Sequence, residues 1–180
     1  MASICVYCAS SELIDPSYVA LAGDVGTRLA AGGHSLVSGG GRVSMMGAVA
    51  RAARVGGAHT VGVIPQHLLG YEVGDTDADE LIVVNTMRER KQLMDERSDA
   101  FIALPGGIGT FEELFEVWTA RSLGMHAKPV LVLDPDDFYA PLWRYLDELI
   151  GRGFIRPSAL DSLWRVKSVA DAFALIEGVD

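Results

Sequence analysis

The apolar run Ala100-Phe101-Ile102-Ala103-Leu104 leads straight into Pro105-Gly106-Gly107-Ile108-Gly109-Thr110, and a helical pattern follows in which Phe111, Leu114, Phe115 and Trp118 share one face. No other stretch constrains the fold as strongly. A strand with no polar face must lie in a sheet covered on both sides. The glycine-rich turn presents backbone N–H groups and the positive end of a helix dipole, which suits a phosphate. Glu112 and Glu113 are expected in the first turn of the helix, where a negative charge is already favoured. A phosphate cradle beside an acid points to chemistry on a phosphorylated small molecule. The alternative is that the glycines only let the helix pack tightly on the sheet.

The same strand-then-helix alternation runs along the chain. Strands are expected over residues 3–9, 34–38, 60–64, 81–85, 100–104 and 129–133, with a weak one at 163–166. Helices are expected over 16–31, 45–55, 86–97, from the glycine-rich turn to 123, and over 136–150 and 169–176. Asp15-Pro16 supplies a cap followed by proline at the first helical position, and Gly32-Gly33 and Gly56-Gly57 end helices. Residues 66–80 are polar and acidic and read as a surface loop. The fold class is therefore α/β, a doubly wound parallel sheet with helices on both faces, and its ligand belongs at the carboxyl ends of the strands. With no linker, repeat or low-complexity stretch, residues 1–180 are expected to form a single domain.

Composition narrows the function. A net charge of −9 over 180 residues argues against a nucleic-acid-binding surface, yet a few local cations and amides still bind one nucleotide. The mean hydropathy of +0.24 fits a well-buried sheet or an oligomer interface. No apolar run reaches the roughly 18 residues of a membrane span, and no basic segment precedes an apolar one at the N-terminus, so a cytoplasmic location is expected. Cys5 and Cys8 have redox-pair spacing, but three apart in a strand they face opposite ways and read as small core residues. His34, His59, His67 and His126 show no ligand spacing, so no metal is expected.

Four segments can converge at the strand ends: Ser10-Ser11, Gly39-Gly40-Gly41, the run Met87-Arg88-Glu89-Arg90-Lys91, and the glycine-rich turn. Ser10 and Ser11 offer hydroxyl donors or act as turn residues, and Gly40 and Gly41 let a ligand approach the backbone. Met87, Arg90, Lys91 and Met94 recur at helical spacing, giving one face that either neutralises a phosphate and flanks a base, or is merely solvated. Thr110-Phe111-Glu112-Glu113 also fits a capping box, which would make Glu113 structural. Glu72 lies in the long loop, from which it could reach over the pocket. The turn is neither the ATPase loop nor the dinucleotide fingerprint, since neither signature is complete.

Met87-x-x-Arg90-Lys91, Ser98-Asp99-Ala100-Phe101 and Pro-Gly-Gly-x-Gly-Thr-x-x-Glu together resemble the LOG ("Lonely Guy") family of cytokinin riboside 5′-monophosphate phosphoribohydrolases, often mislabelled lysine decarboxylases. The similarity runs over residues 5–134. It implies a Rossmann-like fold, a homodimer, and hydrolysis of the N-glycosidic bond of an adenine-type nucleoside 5′-monophosphate without a cofactor. By that resemblance Arg90 and Glu113 match the catalytic pair. Lys91, Gly106, Gly107, Gly109, Thr110 and Glu112 match nucleotide-binding positions, and Glu72, Met87 and Thr119 fall at further ligand contacts. Two positions depart from the pattern: Arg88 replaces a histidine, and Ser44 stands where glycine is common. A non-catalytic nucleotide-binding module is the competing reading; a decarboxylase would need a Schiff-base lysine, and Lys91, Lys128 and Lys167 are the only lysines.

Overall fold

The computed structural model describes residues 1–178, apart from the side chains of Tyr71 and Glu72. Its strands are β1 (Ser3–Tyr7), β2 (Ser35–Ser38), β3 (Thr60–Pro65), β4 (Glu80–Val84), β5 (Ala100–Ala103), β6 (Val130–Leu133) and β7 (Trp164–Val166). Its α-helices are α1 (Pro16–Ala31), α2 (Ser44–Val55), α3 (Met87–Glu96), α4 (Ile108–Ser122), α5 (Ala140–Gly151), α6 (Pro157–Asp161) and α7 (Val169–Glu177). The strands form one seven-stranded sheet in the order β4-β3-β2-β1-β5-β6-β7. Every pairing is parallel, with Ile4 opposite both Leu36 and Ala100. The chain winds outward from β1 to β4, returns to the far side of β1 as β5, and winds out again. That reversal between β1 and β5 is where a doubly wound sheet opens a ligand crevice.

Alternate strand residues feed two cores. Ile4, Val6, Leu36, Ile102 and Leu131 pack under Ala22, Val25 and Leu29 of α1, Val49 of α2 and Phe173 of α7. Cys5, Tyr7, Val37, Phe101 and Val132 face the other way, under Met94 of α3, Leu114 and Trp118 of α4, and Trp143 of α5. Burial on both faces explains why the strands are apolar throughout rather than alternating. Cys5 lies in the second core and Cys8 packs against the first. No helix among the described residues is long and apolar enough to cross a membrane.

Two expectations of detail need correcting. Residues 66–80 are not a plain loop: a 3-10 turn (Gln66–Leu68) runs into a π-helical turn (Leu69–Val73), and Gly41 bridges Gly74. The Asp75 N–H donates to the Gly40 carbonyl and the Arg42 N–H to the Val73 carbonyl. These pairings are non-local, so hydrophobic periodicity gives no sign of them. The second correction concerns α4, which begins at Ile108 with Gly107 as N-cap, so no acidic residue lies in its first turn. Glu112 and Glu113 sit one turn further in. The capping box falls instead on Thr86 and Glu89 at the start of α3, where the Glu89 N–H donates to Thr86 Oγ1 at 3.1 Å and the Thr86 N–H to Glu89 Oε2 at 3.3 Å.

Candidate active site

A cleft of about 250 Å³ opens at the β1/β5 reversal. The segment after β1 (Cys8 to Ser11), Gly39 after β2, Met46 of α2, Leu68 of the 3-10 turn, and Met87 and Arg90 of α3 line it. Gly107, Ile108, Gly109, Thr110 and Glu113 of α4 close the remaining wall.

The wall formed by α4 presents groups of the kind that suit an anion. The Phe111 N–H is the first to reach back, to the Gly107 carbonyl at 3.0 Å. By position, the N–H groups of Ile108, Gly109 and Thr110 have no carbonyl one turn behind them within the helix, and they point out of its positive end. Gly107 and Gly109 are exposed, leaving this edge open to a ligand. Gly106 is glycine for a different reason. A Cβ there would stand 2.1 Å from Thr110 Oγ1, so the absent side chain lets Thr110 fold back against the turn.

Arg90 is a buried cation, 4% exposed. Its Nε donates to the Val63 carbonyl at 3.1 Å, its Nη2 to the Gly39 carbonyl at 2.8 Å, and its Nη1 faces Met87 Sδ at 3.8 Å. The planar fork therefore spans the ends of β2 and β3 and brings a fixed positive charge to the cleft floor. Glu113 lines the same cleft from α4 and also lines a second groove of about 500 Å³ on the other side, with Tyr7 and Phe115. The fields of both groups reach the core beneath. Burial pushes the Cys5 thiol far up, the charge of Glu113 adds to that shift and the charge of Arg90 opposes it. The Tyr7 hydroxyl is likewise raised, first by burial, and Glu113 contributes.

The remaining candidates divide by location. Ser10, Ser11, Met87, Gly107, Gly109 and Thr110 stand at the cleft. Gly40 and Gly41 lie behind it, holding the segment that follows β3. Lys91 shares a helix with Arg90, but consecutive helical residues point about 100° apart. Its Nζ lies 2.8 Å from Glu112 and 2.6 Å from Glu116, and the hydrogen bonds it donates to those two carboxylates raise its pKa. Lys91 and Thr119 line the second groove, and Glu112 is exposed beside them. The side chain of Glu72 lies outside the described residues. Gly39 and Ile108 belong to the two glycine-rich segments that the sequence places at the strand ends, whereas Cys8, Met46 and Leu68 carry no such signal. Met46 and Leu68 reach the cleft through tertiary packing.

A family model described as "Possible lysine decarboxylase" matches residues 46–176. A Mycobacterium tuberculosis protein named cytokinin riboside 5′-monophosphate phosphoribohydrolase is 50% identical over 174 residues, covering 94% of this chain and 90% of that protein. The chain belongs to the LOG family. A second LOG-family relative, LOG3 of Arabidopsis thaliana, carries the same name and is 44% identical over 156 residues, covering 87% of this chain and 73% of its own. Among solved structures, the molybdenum cofactor binding protein of Rippkaea orientalis matches with a TM-score of 0.75 and 24% identity, over 98% of this chain and 96% of that one. That likeness shows the shared fold. The span matched by the family model holds Met87, Arg90 and all of α4, while the cleft walls after β1 and β2 precede it.

Proposed function

We infer that the chain is a cytokinin riboside 5′-monophosphate phosphoribohydrolase, releasing free base and ribose 5-phosphate from an adenine-type nucleotide. The observation that carries this reading is that one cleft gathers the N-terminus of α4, the buried Arg90 guanidinium and the Glu113 carboxylate. The helix N-terminus takes the 5′-phosphate and fixes the sugar, so binding energy remote from the reacting bond goes into positioning. The bond from the anomeric carbon to the base breaks, its electron pair leaves with the base, and the sugar carbon becomes oxocarbenium-like. By analogy with sugar hydrolysis, Glu113 faces that cation and takes the proton of the attacking water as the new C–O bond forms. Arg90 supplies a fixed positive charge at the cleft floor that orients the nucleotide. Met46, Leu68 and Met87 offer apolar and thioether surface for a purine ring.

A decarboxylase using a Schiff-base lysine does not fit these residues. Lys91 is held by Glu112 and Glu116, Lys128 by Asp95, and Lys167 by Asp137, and none lines the cleft. The active form is taken to be a cytoplasmic homodimer. The second groove continues into an apolar face over α4 and α5, where Leu123, Met125, Tyr145 and Phe154 are all more than half exposed, and such a face favours a partner.

Incubation with isopentenyladenosine 5′-monophosphate, AMP and the matching ribosides, with chromatography of the free base, tests the reading. Release from a monophosphate with little from its riboside is the expected result. Equal turnover of riboside and monophosphate would remove the phosphate anchor, and no release from either would leave only a binding module.

A further inference from the structure

We propose that Tyr139, which is not a wall of the cleft, is a positioning residue that holds the phosphate-binding turn in shape from behind. The inference rests on the phosphoribohydrolase reading and extends it to the groups that keep the turn competent. Tyr139 is the N-cap of α5, 1% exposed, beyond the carboxyl end of β6 and next to β5. Its hydroxyl donates to the Leu104 carbonyl at 2.7 Å, and Leu104 is the last residue before the glycine-rich turn. The same ring meets Phe111 edge-on, with centroids 5.6 Å apart and planes at 70°. Phe111 is the residue whose N–H closes the first turn of α4 on Gly107. One rigid side chain therefore touches both ends of the segment that presents the Ile108, Gly109 and Thr110 N–H groups.

The tyrosine is itself fixed. Its N–H donates to Asp134 Oδ1 at 3.2 Å, and Asp134 is fully buried with its other oxygen 3.0 Å from Arg165 Nη2 on β7. Phe138 packs across the ring at 4.8 Å. Burial pushes the hydroxyl well above the ordinary tyrosine range, against a smaller pull from the Gly106 backbone, so it remains a donor at any working pH. Without that hydroxyl the Leu104 carbonyl loses its buried partner, and the strand-to-turn junction is free to relax. Anion-binding N–H groups lose most of their value once displaced by a fraction of an ångström.

The test compares wild type with Tyr139→Phe, which keeps the ring and removes only the hydroxyl. Calorimetry measures affinity for ribose 5-phosphate, and steady-state kinetics compares a nucleoside 5′-monophosphate with its riboside. The expected result is about tenfold weaker ribose 5-phosphate binding, a matching loss in kcat/KM on the monophosphate, and riboside turnover within twofold. Phe111→Leu, which removes the other contact, should move affinity in the same direction and covers the case in which Tyr139→Phe folds poorly. Unchanged ribose 5-phosphate affinity in both variants, or equal losses on phosphorylated and unphosphorylated substrates, overturns the proposal. Wild-type protein that binds ribose 5-phosphate in this Tyr139-dependent way but releases no base would instead count against the hydrolase reading.

Discussion

Arg90 fills the space that a side chain on Gly39 would need. A Cβ at Gly39 would stand 2.0 Å from Arg90 Nη2 and 2.9 Å from Cζ, while the Gly39 carbonyl accepts from that same Nη2 at 2.8 Å. Glycine here has nothing to do with turn geometry; it is the seat of a buried cation. Gly39→Ala should therefore displace the guanidinium by an ångström or more. Activity should fall about 100-fold, the scale of a small misplacement at a reacting centre, with the circular dichroism of the folded protein retained. Base-release kinetics on the purified variant provides the check, and near wild-type turnover would show that the position of Arg90 is not critical.

What the sequence reveals and conceals here follows from the range of each interaction. Buried strands such as Ala100–Ala103 announce themselves because both of their faces are apolar, and the parallel sheet follows from their alternation with helices. The start of α4 is less legible. Gly107 and Gly109 are poor helix formers, so the pattern places the start near Thr110, whereas the helix begins at Ile108. That shift makes Thr110 part of the first turn and removes Glu113 from any capping box. Arg90 and Lys91 look equivalent in a charged run, yet one is buried against β2 and β3 and the other pairs with α4. Only the tertiary neighbours distinguish them.

Ser44 has φ of 51°, in the left-handed region that favours glycine. Its hydroxyl donates to the Ser11 carbonyl at 2.5 Å, tying the start of α2 to the loop that carries Ser10 and Ser11. Ser44→Ala keeps the strain and loses the tether, whereas Ser44→Gly relieves the strain. Urea unfolding should rank the glycine variant more stable than the alanine variant by about 1 kcal/mol. An alanine variant equal to or above the glycine variant contradicts this account of the position.

Glu177 at the end of α7 accepts from Arg28 at 2.8 Å and lies 3.2 Å from His34 Nε2, joining α7 to α1 and to the residue before β2. His34 and then Arg28 hold its pKa below the ordinary 4.5. A folded value below the unfolded one means that the stabilisation is present above the unfolded pKa and is lost as pH falls through the folded value. Glu177→Gln should unfold at lower denaturant than wild type at about pH 6, and the two should converge in strong acid. A gap that persists undiminished in acid would assign the difference to something other than this pair.

Leu123 and Met125 are 71% and 76% exposed beside the groove that Glu113 shares. If this face joins two copies, Leu123→Asp with Met125→Asp should halve the mass found by sedimentation at micromolar protein, because each buries a charge at the interface. A wild-type mass that already corresponds to one chain contradicts the dimer itself, and a double variant of unchanged, two-chain mass places the interface elsewhere.

The measurement that bears most directly on the account is base release by Glu113→Gln, which keeps the size and hydrogen-bonding reach of the side chain and removes its charge. If Glu113 faces the developing cation and takes the water proton, turnover of isopentenyladenosine 5′-monophosphate should fall by about 1000-fold, while affinity for ribose 5-phosphate stays within a few-fold of wild type. Turnover by Glu113→Gln equal to that of the wild type would contradict the account at its centre.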